Sequence, residues 1–253
     1  MDTAKETFEV AIGRAQYLLK LAEGLTNRRQ RGTRKDWSKK FKKLMHWPQS
    51  DQIQRIDSKD VVLATRNDSR LTSDDFDTVA LDDLRRAALV MAVSAMDAYF
   101  HAKVMAHVIE HSKCSKPSSR LLNESIRVED FIKARKHKYK NAPLRAAIER
   151  KLSFQSLQQP DKVKGALQLI GVSGFWNSVA GELAQGKKDP CDQMSKMVKR
   201  RNQIVHEGDL SQSKKARNKA RGISDKSVRE WVELAVSIVN AADKVINGSL
   251  KQQ

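Results

Sequence analysis

Near the start of the chain, apolar residues return every three or four positions. Phe8, Ala11, Ile12, Ala15, Leu18, Leu19 and Ala22 keep that spacing, which predicts a helix over 3–24 with one face turned to a core. Thr3 and Glu6 suit a capping box at its start, and Gly24 can end it. A different pattern holds over 81–111. From Leu84 to Val108 the sequence is apolar nearly all round, as in a central, buried helix. Its exceptions, Ser94, Asp97 and His101, lie three and four residues apart and so share one face. Asp97 is the only acidic residue between Asp83 and Glu110.

Further on, 128–155 reads as helical and very basic, including "KARKHKYK" at 133–140. Two short helices follow over 160–171 and 175–184, separated by a Gly-Ser joint. The next helix, 190–207, carries its own punctuation: Asp189 as cap, Pro190 at the first helical position, Asp192 in the first turn, and Gly208 beyond the end. A last helix runs from a Ser224 cap to Gly248 and buries Trp231, Leu234, Ile238, Val239, Val245 and Ile246. Residues 48–80 are the least regular, with "VVLAT" (61–65) a short strand and "SDDFD" (73–77) an acidic turn or helix start.

Composition agrees with an all-α reading. Gly and Pro number only 11 and 5, and 40% of the residues are hydrophobic, enough for a real core. The length of 253 residues allows one large domain or two small ones. Charge changes the picture most. Lys and Arg total 48 against 30 Asp and Glu, a net charge of +18, which draws polyanions. Nucleic acid is the commonest in a cell; anionic lipid, or simply a soluble basic surface, is the other reading. No apolar run approaches the roughly 20 residues of a membrane span, and the N-terminus lacks a signal-peptide pattern. Cys114 and Cys191 stand far apart without metal-ligand spacing. The expectation is a reduced cytoplasmic protein, with no membrane attachment, disulfide, metal or cofactor.

Two stretches concentrate the positive charge. "RRQRGTRKDWSKKFKK" (28–43) holds nine basic residues and one acid, with Trp37, Phe41 and nearby Trp47 interleaved. Cations for phosphates and rings for bases suit single-stranded nucleic acid, which makes Arg28, Arg29, Arg31, Arg34, Lys35, Lys39 and Lys40 candidate RNA contacts. A solvated helix face whose aromatics dock on the core fits the same residues. The loop "SQSKKARNKAR" (211–221) adds Lys214, Lys215 and Arg217.

The stretch "KRRNQIVHEGD" (199–209) is less easily placed. Met194, Met197, Val198, Ile204 and Val205 form an apolar stripe on 190–207, and at position 201 the stripe is interrupted by Arg. Val198, Asn202 and His206 line one edge of it. A guanidinium at such a seam must be paired or solvated, and Asp97 is the best candidate partner. Arg201–Asp97 as a buried lock, with His206 gaining from the helix dipole, is a purely structural account. RNA cleavage is the functional one. When a ribose 2′-oxygen attacks the adjacent phosphorus, imidazole can move the protons, guanidinium can hold the phosphoryl oxygens and Asn can position either. Across a two-fold interface, one His per chain becomes two per site.

Arg201-Asn202-Gln203-Ile204-Val205-His206 resembles the Arg, four-to-six residues, His motif of the HEPN superfamily, in which a polar residue commonly follows the Arg. "VSAMDAYF" (93–100) is similar to that family's early helix with an acidic residue, and the final amphipathic helix fits as well. In style the chain resembles RiboL-PSP-type HEPN proteins. The resemblance covers about 81–247 and implies a HEPN-like antiparallel helical bundle that dimerises, preceded over 1–80 by a basic N-terminal helical extension. It also implies metal-independent endoribonuclease activity in toxin–antitoxin or antiviral systems. By that match Arg201 and His206 are the catalytic pair, Asn202 the polar position and Asp97 the acidic one. Arg200 satisfies the spacing too, but Asn follows Arg201. The branch modified by nucleotidyltransferase antitoxins has a Tyr two residues after the His, where this chain has Gly208. A non-catalytic RNA- or DNA-binding module, or a regulatory subunit that pairs with an acidic antitoxin-like partner, is the alternative.

Overall fold

The computed structural model describes residues 3–26, 29–31, 34–57, 62–66, 78–135, 141–183, 189–211 and 219–251. Among these, helices dominate: α1 (Thr3–Leu25), α2 (Lys35–Leu44), α3 (Thr78–Ser112), α4 (Ser119–Leu122), α5 (Val128–Arg135), α6 (Ala142–Ser153), α7 (Pro160–Leu167), α8 (Phe175–Glu182), α9 (Pro190–His206) and α10 (Asp225–Leu250). A single small antiparallel sheet is described, in the order β1 (Arg29–Arg31), β2 (Ile53–Asp57), β3 (Val62–Arg66). The fold is an all-α bundle.

α3 is its spine. At 35 residues it is about 50 Å long, and Leu89, Ala92, Val93, Met96, Tyr99, Phe100 and Val104 are fully or almost fully buried along it. Burying each of the larger of these side chains is worth roughly 1.5–3 kcal/mol, so the near-continuous apolar run accounts for the helix's central place. α1, α9 and α10 pack around it. α1 lays Phe8, Ile12, Ala15 and Leu19 into the same core, with the Phe8 ring edge-on to Tyr99 at 6.1 Å. The core is therefore continuous across residue 80. The core also takes in an ammonium group. Lys103 is wholly buried and ion-paired to Asp243 of α10 at 2.7 Å, while Asn247 and the Tyr99 hydroxyl complete the network. A buried ammonium is tolerable only with such partners.

Several expected elements are divided differently. The basic stretch 28–43 holds both a strand and a helix: Arg29–Arg31 pairs with β2, and α2 begins at Lys35. Its aromatics neither dock on the bundle core nor stand free. Trp37 and Phe41 stack at 4.9 Å, Phe41 meets Trp47 edge-on, and Arg55 and Arg66 of the sheet lie over Trp37 and Trp47 at 4.8 and 5.8 Å. Arg34, Lys35, Lys39 and Lys40 remain exposed. The run over 128–155 is two helices, the second with Pro143 in its first turn, where a missing N–H costs nothing. Val205 is also exposed, so the apolar stripe of α9 ends at Ile204. Arg28, Lys214, Lys215, Arg217 and the segments 73–77 and 136–140 lie outside the described residues.

Candidate active site

α9 is held at both ends by its own sequence. The Asp189 side chain accepts from the Cys191 N–H at 3.1 Å, and Pro190 occupies the first turn. Beyond His206 the chain folds back sharply through Gly208 and Asp209, both in the left-handed region at φ 61° and 55°. Glycine adopts that conformation freely and Asp tolerates it better than most residues. The Glu207 and Asp209 N–H groups both donate to the Gln203 carbonyl, at 3.2 and 3.0 Å. Residues 209–211 then pair with 219–221: Ser211 N–H donates to Lys219 O and Arg221 N–H to Asp209 O.

That fold-back places Asp209, only 2% exposed, between two arginines. Arg200 is paired to it through both terminal nitrogens. Arg86 of α3 donates from Nε at 2.6 Å and reaches the Arg221 carbonyl with another nitrogen. Burial alone would push the Asp209 carboxyl up; hydrogen bonds from Arg200 and Arg86 outweigh it and hold the group below the usual carboxylate range. This cluster clamps the last turn of α9 to the spine.

Arg201, the next residue, has a different environment. It lines a cleft of about 490 Å³ together with Val198, Asn202 and His206 of α9. Among the described residues its guanidinium bonds only to the Asn202 side-chain oxygen, at 3.1 Å, and its buried Nε has no partner. His206 is exposed at the mouth of the helix and bonds to nothing among the described residues. The rest of the lining comes from Phe154, Gln155, Ser156, Gln158 and Gln159, between α6 and α7, and from Lys162.

Asp97 does not line this cleft, and the Arg201–Asp97 lock is not formed. Its carboxylate instead accepts the Leu157 N–H at 2.5 Å, with Gln158 at 3.4 Å and His101 at 3.5 Å. His101 in turn contacts the Leu152 and Gln155 carbonyls, at 3.1 and 3.0 Å. A loop with unpaired backbone N–H groups can satisfy a half-buried carboxylate, and here it does. Asp97 therefore stands behind the cleft wall and fixes it. Sequence reasoning missed Phe154, Gln158, Lys162 and the clamp role of Asp209, none of which sits on a periodic apolar face.

Among the described residues no three His, Cys, Asp or Glu side chains gather as a metal site would need. Burial, aided by Asp189 and Asp161, pushes the Cys191 thiol up to about 11, so it is no ready nucleophile.

A family model described as RiboL-PSP-HEPN matches residues 57–248. The chain belongs to this HEPN family. The match spans β3, the spine, both walls of the cleft and α10. No curated protein and no solved structure matches. Within the HEPN motif, Arg200 and Arg201 both meet the spacing to His206, and the geometry separates them: Arg200 is consumed by Asp209, whereas Arg201 opens on the cleft with His206. HEPN membership makes an RNase-like or RNA-related function the broad expectation.

Proposed function

We propose that the protein is a metal-independent endoribonuclease, working as a homodimer in the cytoplasm as a toxin or antiviral-defence effector. One observation carries the reading: a single cleft collects Arg201, Asn202 and His206, with a buried guanidinium nitrogen that has no partner among the described residues. A desolvated donor of that kind is stabilised by an anion, and phosphate suits its fork of N–H groups.

In the proposed reaction His206 takes the proton from a ribose 2′-hydroxyl as its oxygen attacks the adjacent phosphorus. Arg201 holds the phosphoryl oxygens as charge builds on them, and Asn202 orients Arg201 through its side-chain oxygen. The P–O5′ bond breaks, and the leaving oxygen needs a proton. A second chain's copy of His206 supplies it, which gives exposed Val205, beside the site, a place in the dimer seam. The products are a 2′,3′-cyclic phosphate and a 5′-hydroxyl. Asp97 acts through the loop it anchors.

Purified protein incubated with single-stranded and structured RNA in EDTA tests this directly. Cleavage yielding those two ends is expected, reduced about 10²–10³-fold by Arg201→Ala and by at least as much in His206→Ala. Cleavage unchanged in either variant overturns the assignment. Salt-sensitive binding without cleavage would instead make the cleft a binding site.

A further inference from the structure

The cleft wall contributed by the segment after α6 is unlike the α9 wall. Apart from Lys162 it is uncharged, presenting the side-chain amides of Gln155, Gln158 and Gln159 and the Ser156 hydroxyl. At its rim Phe154 is 87% exposed, the most exposed large apolar side chain among the described residues. Leaving a phenyl ring in water forgoes roughly 1.5–3 kcal/mol of burial, so folding does not explain its outward placement. Nor is the backbone loose. Leu157 is fully buried, its N–H is held by Asp97, and Gln155 N–H donates to the Leu152 carbonyl. The ring is presented by an anchored loop.

We infer that Phe154, Gln155, Gln159 and Lys162 form a nucleobase subsite beside the scissile phosphate, specific for an unpaired base of single-stranded RNA. The base stacks on the Phe154 ring, its polar edge meets the two side-chain amides, and Lys162 holds a flanking phosphate. A base in a duplex cannot be splayed onto the ring without unpairing, so double-stranded RNA is excluded from the subsite. A carboxamide both donates and accepts, which suits a base edge. The inference rests on the proposed cleavage site only for the position of the phosphate.

The full chain carrying His206→Ala, titrated with a short labelled single-stranded RNA and with the same sequence as a duplex, tests it by anisotropy. Adding Phe154→Ala is expected to weaken single-strand binding about 5- to 100-fold with the salt slope unchanged, because stacking releases no counterions. Phe154→Trp keeps the affinity, and Lys162→Ala lowers the salt slope by about one. Single-strand affinity unmoved by Phe154→Ala, an equal loss on the duplex, or no RNA binding at all overturns the subsite. So does a Phe154→Ala effect on self-association alone, which would make the ring a dimer contact. The parent chain's cleavage is read separately. Phe154-dependent binding without cleavage sinks the catalytic reading and keeps the subsite; cleavage with binding indifferent to Phe154 does the reverse.

Discussion

Arg200 and Arg201 are the same residue type, one position apart on the same turn of α9, and they meet opposite surroundings. A step of one residue turns a helical side chain by about 100°. That rotation carries Arg200 onto the buried Asp209 carboxylate and Arg201 onto a cleft where its Nε has no partner among the described residues. The first arginine is neutralised by a residue nine positions on, delivered by the left-handed turn at Gly208 and Asp209. The second has no carboxylate partner among the described residues, and in the proposed reaction it is left for phosphate. Which of the two arginines is neutralised is thus decided by where the nearest carboxylate is put.

The largest expected effect breaks the clamp side of this pair. Asp209→Asn keeps the shape and the left-handed backbone but leaves Arg86 and Arg200 facing a neutral amide. Removing one member of a buried charge cluster costs about 3–5 kcal/mol, so urea unfolding should shift by that much. Arg201→Met, by contrast, should stay within about 1 kcal/mol of the parent, since no protein charge loses its partner. Equal losses in the two variants would erase the distinction.

Acid sharpens the same contrast. The Asp209 carboxyl is held below its ordinary range, so its stabilisation is complete above about pH 4, where the unfolded carboxyl is already ionised. It is lost as pH falls through the lower folded value. Unfolding curves of the parent should lose stability below about pH 4 more steeply than those of Asp209→Asn, which has no such proton to take up. Parallel curves would mean that the clamp carboxylate is not held ionised by its arginines.

Much of this is legible in the sequence alone. The spacing of Phe8, Ile12, Ala15 and Leu19 marks α1, and Asp189, Pro190 and Gly208 bracket α9, because caps and apolar periods are local properties. What escaped was long-range. Arg86 meets Asp209 across 123 residues, and Asp97 meets Leu157 across 60. From the sequence Asp97 pairs best with the seam arginine because it is the lone acid on its helix. A backbone N–H took it instead, and no residue pattern advertises a backbone donor. Phe154 escaped for a related reason: an exposed ring at a helix end belongs to no period, and only the surrounding cleft gives it meaning.

The smallest effect extends the comparison one turn back along α9. Asp192 and Lys196 form an ion pair at 3.1 Å, with both side chains about two-thirds exposed. Water screens that attraction, and holding two long side chains together costs entropy, so Lys196→Ala should remove only about 0.3–0.5 kcal/mol. Even this should vanish in 1 M NaCl, where the Debye length falls to about 3 Å. The Asp209→Asn penalty should survive the same salt, because ions do not enter a site in which the carboxylate is 2% exposed. Repeating both unfolding measurements at low and high salt therefore separates an exposed pair from a buried one on a single helix. A salt-sensitive Asp209 penalty would move the clamp from core to surface chemistry, and Arg200 would then be as open to phosphate as Arg201.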